Sequence, residues 1–250
     1  MNSKAANRAE GMLYLYGMSA TASKVKIAGS IDGAAPVQTI EQSGLQAWFS
    51  RVSTEEFGEK LAANMENLEW LAGASVRHQR VVSQISASIT LLPARFGTVF
   101  SSEPSLLRHM KQQRTSLLTT LKRIDGAEEW GVKLFLREVP AALAETQDAA
   151  SLPSGRDYLL AKAATIQSFK RNQIDPEVAE FARELQAVAA DSAPAGKVSS
   201  GQNQLEWQAS FLLRKKDRPQ WDRVLKKYAT RWADRREIQC TGPWPPYSFV

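Results

Sequence analysis

The spacing of apolar and polar positions changes along the chain, and each change predicts a different kind of element. The first apolar run, at 12–16, has the length of a buried strand. Shorter strand candidates follow at about 24–28, 37–40 and 45–51, separated by glycine-containing turns. The beginning of the chain therefore predicts a small sheet.

Helical spacing begins directly after this sheet. The residues from Ser53 to Glu56 have the spacing of a capping box, and the apolar positions behind it are Phe57, Leu61, Met65, Leu68 and Leu71. A second helical pattern begins beyond Gly73, ends before Pro93 and carries Val76, Val81, Val82, Ile85 and Ile89. The two patterns predict either an antiparallel helix pair or one broken helix. A further helix, opening near Pro104, is expected to bury Leu107, Met110, Leu117, Leu118 and Leu121.

The second half of the chain predicts strand, helices, strand, helix and strand. Apolar residues alternate at 130–136 and again at 205–213, as half-buried strands require. Helical patterns lie at 155–173, at 176–188 behind an Asp175 cap, and at 221–232; a Ser, Gly and Ala-rich linker is expected at 191–204, and a last strand begins at Ile238. This order predicts an α+β protein whose second half is a ferredoxin-like split βαβ unit. The predicted domains are 1–126 and 127–250, with a helical insertion at about 154–190.

Charge adds one alternative function. The net charge is +6, and residues 214–236 hold ten Lys or Arg against three Asp, so the rest of the chain is close to neutral. Such a segment can attract nucleic acid or an anionic surface. On the predicted helix, however, Arg223, Lys227 and Arg231 share the face opposite the tryptophans, an arrangement typical of a solvated surface.

The sequence has few residues in arrangements that support catalysis, metal binding or cofactor binding. The single cysteine, Cys240, excludes an internal disulfide and favours a cytosolic location. Of the two histidines, His78 lies on an apolar stripe, where a hydrogen-bonded core histidine is expected rather than a general base. No phosphate-binding loop, dinucleotide fingerprint or nucleophile elbow occurs. The chain is therefore predicted to be no enzyme and to use no cofactor or metal, and no run approaches the length of a membrane span.

Several blocks, taken together and in order, resemble the gas vesicle protein F/L family (GvpF/GvpL accessory proteins). The most specific are the run Pro-Ala-Arg-Phe-Gly-Thr-Val-Phe at 93–100 and the segment GPWPPYSFV at 242–250. The others are Leu-Tyr-Leu-Tyr-Gly at 13–17, Trp-Leu at 70–71 with His78 and Val81, Glu-Trp-Gly-Val-Lys at 129–133 and Tyr-Leu-Leu-Ala-Lys at 158–162. The resemblance spans nearly the whole chain.

The resemblance implies a non-enzymatic accessory protein of gas vesicle formation, located at the gas vesicle or in the cytoplasm. It implies an α+β N-terminal domain and a modified ferredoxin-like C-terminal domain. Its expected partners are the hydrophobic shell protein and other accessory proteins, and not nucleic acid. Four residues in the matching blocks are candidates for an interdomain or partner surface, with a purely structural role as the alternative: Arg95, Phe96, Trp130 and Trp244.

The segment 242–250 is predicted to fold against its own chain. Tyr247 and Phe249 are expected to continue the inward alternation set by Ile238 and Cys240. The prolines cannot donate ladder hydrogen bonds, so the segment should turn or follow a sheet edge and bring Trp244 to the surface between sheet and helices.

Overall fold

A computed structural model of the chain describes residues 11–20, 25–137, 175–194 and 204–250. The chain divides into two compact units, which we call unit 1 (Met1–Trp130 with Gly242–Val250) and unit 2 (Gly131–Thr241). The sequence-based boundary near residue 126 remains a prediction about domains. The structure differs from it in one important respect, because it groups the last nine residues with unit 1.

Unit 1 is built on an antiparallel sheet with the order β2-β3-β1-β4, in which β5 also pairs with β1. The strands are β1 (Met12–Ser19), β2 (Gln38–Gln42), β3 (Leu45–Val52), β4 (Leu92–Pro93) and β5 (Val99–Phe100). Ser43 and Gly44 connect β2 to β3 with φ of 55° and 79°, which is the backbone of a tight hairpin turn. Strands at 37–40 and 45–51 are thus confirmed, whereas residues 25–28 form no strand and residue 24 lies outside the described residues.

The helices of unit 1 differ from the prediction in where they break. A π-helical turn (Glu55–Glu59) leads into α1 (Leu61–Glu66) and α2 (Leu68–Ser86), followed by α3 (Glu103–Gln112) and α4 (Arg114–Ile124). The predicted new start beyond Gly73 is wrong, because α2 runs through that glycine without interruption. The break lies at Asn67, whose extended backbone (ψ 108°) ends α1 and whose side chain caps α2.

The core of unit 1 joins the sheet to α2. Buried side chains from the sheet, from α2 and from the segments that connect them form one cluster: Tyr14, Tyr16, Ile31, Trp48, Val52, Phe57, Ala74, Val81, Val82, Ile85 and Leu91. Gly17 allows this packing, since a Cβ there would lie 2.5 Å from the Leu92 carbonyl oxygen of the adjacent β4. The inward positions predicted for α2 are thus confirmed at Val81, Val82 and Ile85, but not at Val76, which is exposed.

Unit 2 has the strand order of a ferredoxin-like fold. The described elements are β6 (Ala127–Leu136), α5 (Pro176–Val188), β7 (Asp191–Pro194), β8 (Leu205–Arg214), α6 (Arg218–Arg231) and β9 (Arg236–Trp244), and the sheet order is β7-β8-β6-β9. In chain order this is β-α-β-β-α-β with the second and third strands adjacent, which confirms the predicted fold class. The first four residues of β6 and the last three of β9 are grouped with unit 1. The predicted helix at 155–173, and with it most of the predicted insertion, lies outside the described residues.

The predicted linker at 191–204 is wrong in its first residues. Asp191–Pro194 form β7, which pairs antiparallel with β8 from Asp191 opposite Leu212 to Pro194 opposite Ala209. This strand is short, polar and at the edge of its sheet, so it carries none of the apolar alternation that reveals a strand in sequence. The structure therefore supplies the strand that completes the split βαβ pattern.

The segment 242–250 folds against its own chain, as predicted, but in a different form. Strand β9 ends at Trp244, and Tyr247–Phe249 form a 3-10 turn in place of continued alternation. The Ser248 N–H and hydroxyl donate to the Glu129 carboxylate at 2.8 and 2.6 Å, and the Arg123 guanidinium donates to the Phe249 carbonyl. The segment is thus an integral part of unit 1.

Candidate partner-binding surface

The loop between β4 and β5 carries the first two candidate residues. The Thr98 N–H and hydroxyl both donate to the Arg95 carbonyl, at 3.2 and 2.7 Å, and close a tight turn. Gly97 takes a φ of 81°, which favours glycine, and its N–H donates to the Tyr14 hydroxyl at 3.2 Å. This turn leaves the Arg95 side chain exposed and Phe96 half-buried.

Phe96 joins an aromatic cluster beneath that loop. Its ring centroid lies 5.8 Å from that of His78, 6.2 Å from that of Trp70 and 6.3 Å from that of Tyr14. Trp70 is fixed in turn by its indole N–H, which donates to Glu56 Oε1 at 2.9 Å. Phe96 therefore has a packing role on one side and an accessible edge on the other.

The two tryptophans among the candidates are placed differently. Trp130 is only 8% exposed, and a Cβ added to Gly242 would lie 2.8 Å from Trp130 Cε3, so the indole packs directly on the glycine backbone. Trp244 is 46% exposed. All four candidates belong to unit 1, and their role in an interdomain or partner surface remains a prediction.

An exposed row of apolar side chains on α1 and α2 was missed by the sequence analysis. Leu68 is 81% exposed, Val76 59% and Met65 43%, although all three belong to the apolar spacing of the predicted helices. Ala72, also exposed, completes the spacing i, i+4, i+8 from Leu68 to Val76, which places these three on one side of α2. We call Met65, Leu68, Ala72 and Val76 the α1–α2 apolar strip.

The break at Asn67 explains why the strip is exposed. Asn67 Oδ1 accepts from the Glu69 and Trp70 N–H groups, both at 3.1 Å, and so starts a new helix whose buried side does not continue that of α1. An asparagine directly before an apolar-periodic run is a recognised start signal and could have revealed the break. Met65 also lies close to Gly97, whose added Cβ would be 3.8 Å from the Met65 sulfur. The strip therefore adjoins the loop that carries Arg95 and Phe96.

A buried chain of hydrogen bonds crosses unit 1 beside this surface. The Tyr14 hydroxyl lies 2.9 Å from His78 Nδ1, and His78 Nε2 lies 3.1 Å from the Tyr247 hydroxyl. A neutral imidazole satisfies both contacts when Nδ1 accepts from Tyr14 and Nε2–H donates to Tyr247. Burial lowers the pKa of His78 to about 4, against a weaker opposing effect of the Ala94 backbone. His78 is thus the hydrogen-bonded core histidine expected from its position, and it ties segment 242–250 to β1.

This histidine makes the stability of unit 1 depend on pH. An unfolded histidine titrates near 6.5 and His78 near 4 in the fold, so between these values the unfolded chain binds more protons. Stability should be complete above about pH 7 and fall by roughly 3 kcal/mol as the pH drops to 4. Urea denaturation at intervals of half a pH unit measures this fall. In His78→Gln the same component should vanish, and an unchanged profile in that variant would contradict the assignment.

The described parts of the chain contain no group of three His, Cys, Asp or Glu side chains that could hold a metal ion. Over the same residues, no helix has the length and apolar character needed to cross a membrane. The chemistry of the surface is therefore that of contact: exposed apolar side chains, a half-buried aromatic ring and nearby charges.

Comparison with known proteins identifies the family. The family model described as gas vesicle synthesis protein GvpL/GvpF matches residues 12–250. The chain belongs to the GvpL/GvpF family. It is 29% identical over 231 residues to gas vesicle protein L of Streptomyces sp. (strain CB03234), covering 87% of this chain and 84% of that protein. It is 24% identical over 238 residues to gas vesicle protein F1 of Halobacterium salinarum, covering 95% and 92%.

Solved structures share the fold. The crystal structure of GvpF from Anabaena sp. PCC7120 has a TM-score of 0.69 at 18% identity, with 95% of each chain covered. That of GvpF from Microcystis aeruginosa has a TM-score of 0.66 at 19% identity, with 95% of this chain and 98% of that chain covered. Membership of the GvpL/GvpF family makes this chain a non-enzymatic accessory protein with a role in gas vesicle formation.

Four of the ten cations in the basic segment of this GvpL/GvpF protein pair with carboxylates elsewhere in unit 2. Helix α5 presents carboxylates to α6 and to the start of β9, and the ion pairs are Lys227 with Glu184, Arg231 with Glu177 and Glu180, Arg235 with Glu177, and Arg236 with Asp175, Glu177 and Glu206. Two of the three residues on the predicted solvated face thus have acidic partners. This pairing reduces the positive charge that residues 214–236 could offer to nucleic acid or to an anionic surface.

Proposed function

We propose that this GvpL/GvpF protein binds the hydrophobic shell protein of the gas vesicle during assembly. The observation that supports the proposal is the α1–α2 apolar strip, which leaves Leu68 81% exposed beside Met65 and Val76. Folded proteins rarely keep several large apolar side chains together in water unless a partner covers them. The loop with Arg95 and Phe96 adjoins the strip, so these two of the four sequence-predicted residues form one continuous candidate surface with it.

The physical task is to keep an aggregation-prone subunit covered until it is incorporated. A small shell subunit that exposes apolar surface will associate with any similar surface, including that of other free subunits. An accessory protein with a narrow apolar strip can occupy that surface and still release it, because the buried area is small. The work is done at the vesicle or in the cytoplasm, together with other accessory proteins, and requires no reactive group.

The test is retention of purified shell protein on the immobilised chain, in a buffer that keeps both proteins soluble. We expect the wild-type protein to retain it and Leu68→Ser/Val76→Ser to lose at least nine-tenths of it, since two exposed apolar anchors are removed without touching the core. The matched control is Glu41→Gln, an exposed change on β2. Equal retention by wild type and the double variant would contradict the proposed surface, and no retention by either would contradict the proposed function.

A further inference from the structure

The charges around the α1–α2 apolar strip differ in sign from those of the chain as a whole. Residues 55–69 contain five Glu and one Lys, a net charge of −4 in a chain whose total is +6. Lys60 is engaged by Glu55 at 2.5 Å, so this cation does not offset the remaining carboxylates. Negatively charged side chains therefore surround the α1 end of the strip.

The carboxylates closest to the strip are exposed and available. Glu66 and Glu69 flank Asn67 and Leu68 in sequence. Glu59 is the last residue of the π-helical turn that precedes α1. Within the described residues, neither Glu66 nor Glu69 forms an ion pair. Glu69 precedes Ala72 by three residues and Val76 by seven, which places its carboxylate on the same side of α2 as the apolar side chains.

Cations are fewer around the strip. Arg80 follows Val76 by four residues at the far end, and Arg95 lies on the loop that adjoins Met65; both are exposed. The Met65 and Leu68 end thus has more carboxylates than cations, even with Arg95 counted, and the far end carries the positive charge of Arg80. A partner that covers its whole length needs the opposite order of charge.

We propose that the α1–α2 apolar strip takes an amphipathic helix whose apolar side is flanked at one end by Lys or Arg. An apolar helix face satisfies Leu68, Ala72 and Val76, and the basic end satisfies Glu59, Glu66 and Glu69. This inference rests on the proposed function, because both take the α1–α2 apolar strip as the docking site. It adds the chemical character of the segment that docks there, and it disfavours an anionic lipid surface, which the carboxylates would repel.

Two labelled 18-residue peptides test this directly. They share one Leu and Ile face, and one carries four Lys at its end where the other carries four Glu. Fluorescence anisotropy with the full chain in 50 mM salt should show the Lys peptide binding about tenfold or more tightly than the Glu peptide, with the ratio falling at 300 mM salt. In Glu59→Gln/Glu66→Gln/Glu69→Gln the ratio should fall to about twofold or less, while Glu41→Gln leaves it unchanged.

The possible results separate a failure of this inference from a failure of the proposed function. Equal binding of the two peptides by the wild-type chain would overturn the inference even where shell protein is retained. Preference for the Lys peptide without retention of shell protein would uphold the inference and contradict the proposed function. Self-association that disappears in Leu68→Ser/Val76→Ser, or binding to vesicles of phosphatidylglycerol that disappears in that variant, would assign the strip to a second copy or to a membrane and overturn it.

Discussion

Removal of residues 243–250 should lower the melting temperature of unit 1 by about 15–20 °C, or prevent its accumulation in soluble form. Phe249 is only 4% exposed, and Tyr247 packs on the core and completes the hydrogen-bond chain through His78. Deletion also strips the buried Glu129 carboxylate of both hydrogen bonds from Ser248. Together these losses amount to roughly 5 kcal/mol, a large part of the net stability of a domain of this size.

The control for this deletion is Trp244→Ser. Trp244 is 46% exposed, whereas Phe249 in the same segment is 4% exposed. Its replacement should change the melting temperature by no more than about 3 °C, because little apolar area is lost. Thermal unfolding followed by circular dichroism makes both measurements. A deletion variant that melts like the wild type would show that the segment is not structural, contrary to its contacts with unit 1.

Replacement of Arg236 by methionine should destabilise unit 2 by about 4 kcal/mol. The Arg236 side chain is 7% exposed and contacts Glu206 Oε2 and Asp175 Oδ2 at 2.7 Å each and Glu177 Oε2 at 3.1 Å. These contacts, those with Glu206 first, raise the pKa of Arg236 despite its burial. Methionine leaves the Asp175, Glu177 and Glu206 carboxylates, which are 38%, 30% and 18% exposed, close together without their shared cation, so they repel one another and lose the hydrogen bonds that Arg236 donates.

The pH dependence of Arg236→Met gives this prediction a distinct signature. In the wild type, burial alone raises the pKa of Asp175, but the Glu177 N–H and the Arg236 guanidinium outweigh it, so that pKa lies below its ordinary value. Stability from this group is present above the unfolded pKa and is lost as the pH falls through the folded pKa. Arg236→Met should lack this loss. The difference in the free energy of unfolding between the wild type and Arg236→Met should therefore shrink below about pH 4.

Arg235→Met is the matched control, because Arg235 is 56% exposed and pairs with Glu177 at 3.2 Å. An exposed pair of this kind contributes about 0–1 kcal/mol, so urea denaturation should barely distinguish the control from the wild type. Equal destabilisation by both substitutions would mean that the burial of Arg236 does not determine its contribution to the stability of unit 2.

The sequence predicted the elements that bury an apolar side and missed those set by local polar contacts. Strand β1 begins with an uninterrupted apolar run, strand β8 and helix α6 have clear periodicity, and each of the three was found. The break at Asn67 was missed because apolar spacing continues almost unchanged across it, from Leu61 and Met65 to Leu68. The extended backbone of Asn67 ends α1, and the two hydrogen bonds to its side chain start α2.

Long-range contacts explain the rest of what the sequence could not give. The return of residues 242–250 to unit 1 depends on partners more than 100 residues away, such as Glu129 and His78. The partners of the β9 residue Arg236 are also distant in sequence, with Asp175, Glu177 and Glu206 lying 61, 59 and 30 residues away. Charge counting therefore presented residues 214–236 as a free basic segment, whereas α5 and β8 supply much of its counter-charge.

Cross-linking from a defined position tests most directly whether the α1–α2 apolar strip contacts the shell protein. A photoreactive benzophenone amino acid at position 68 should cross-link to purified shell protein on irradiation. The same group at position 239, where Gln239 is exposed on β9 of unit 2, should give at most a trace. Mass spectrometry of the product identifies the shell peptide that is joined. Cross-links from position 239 but none from position 68 would contradict the claim and place the contact outside the strip.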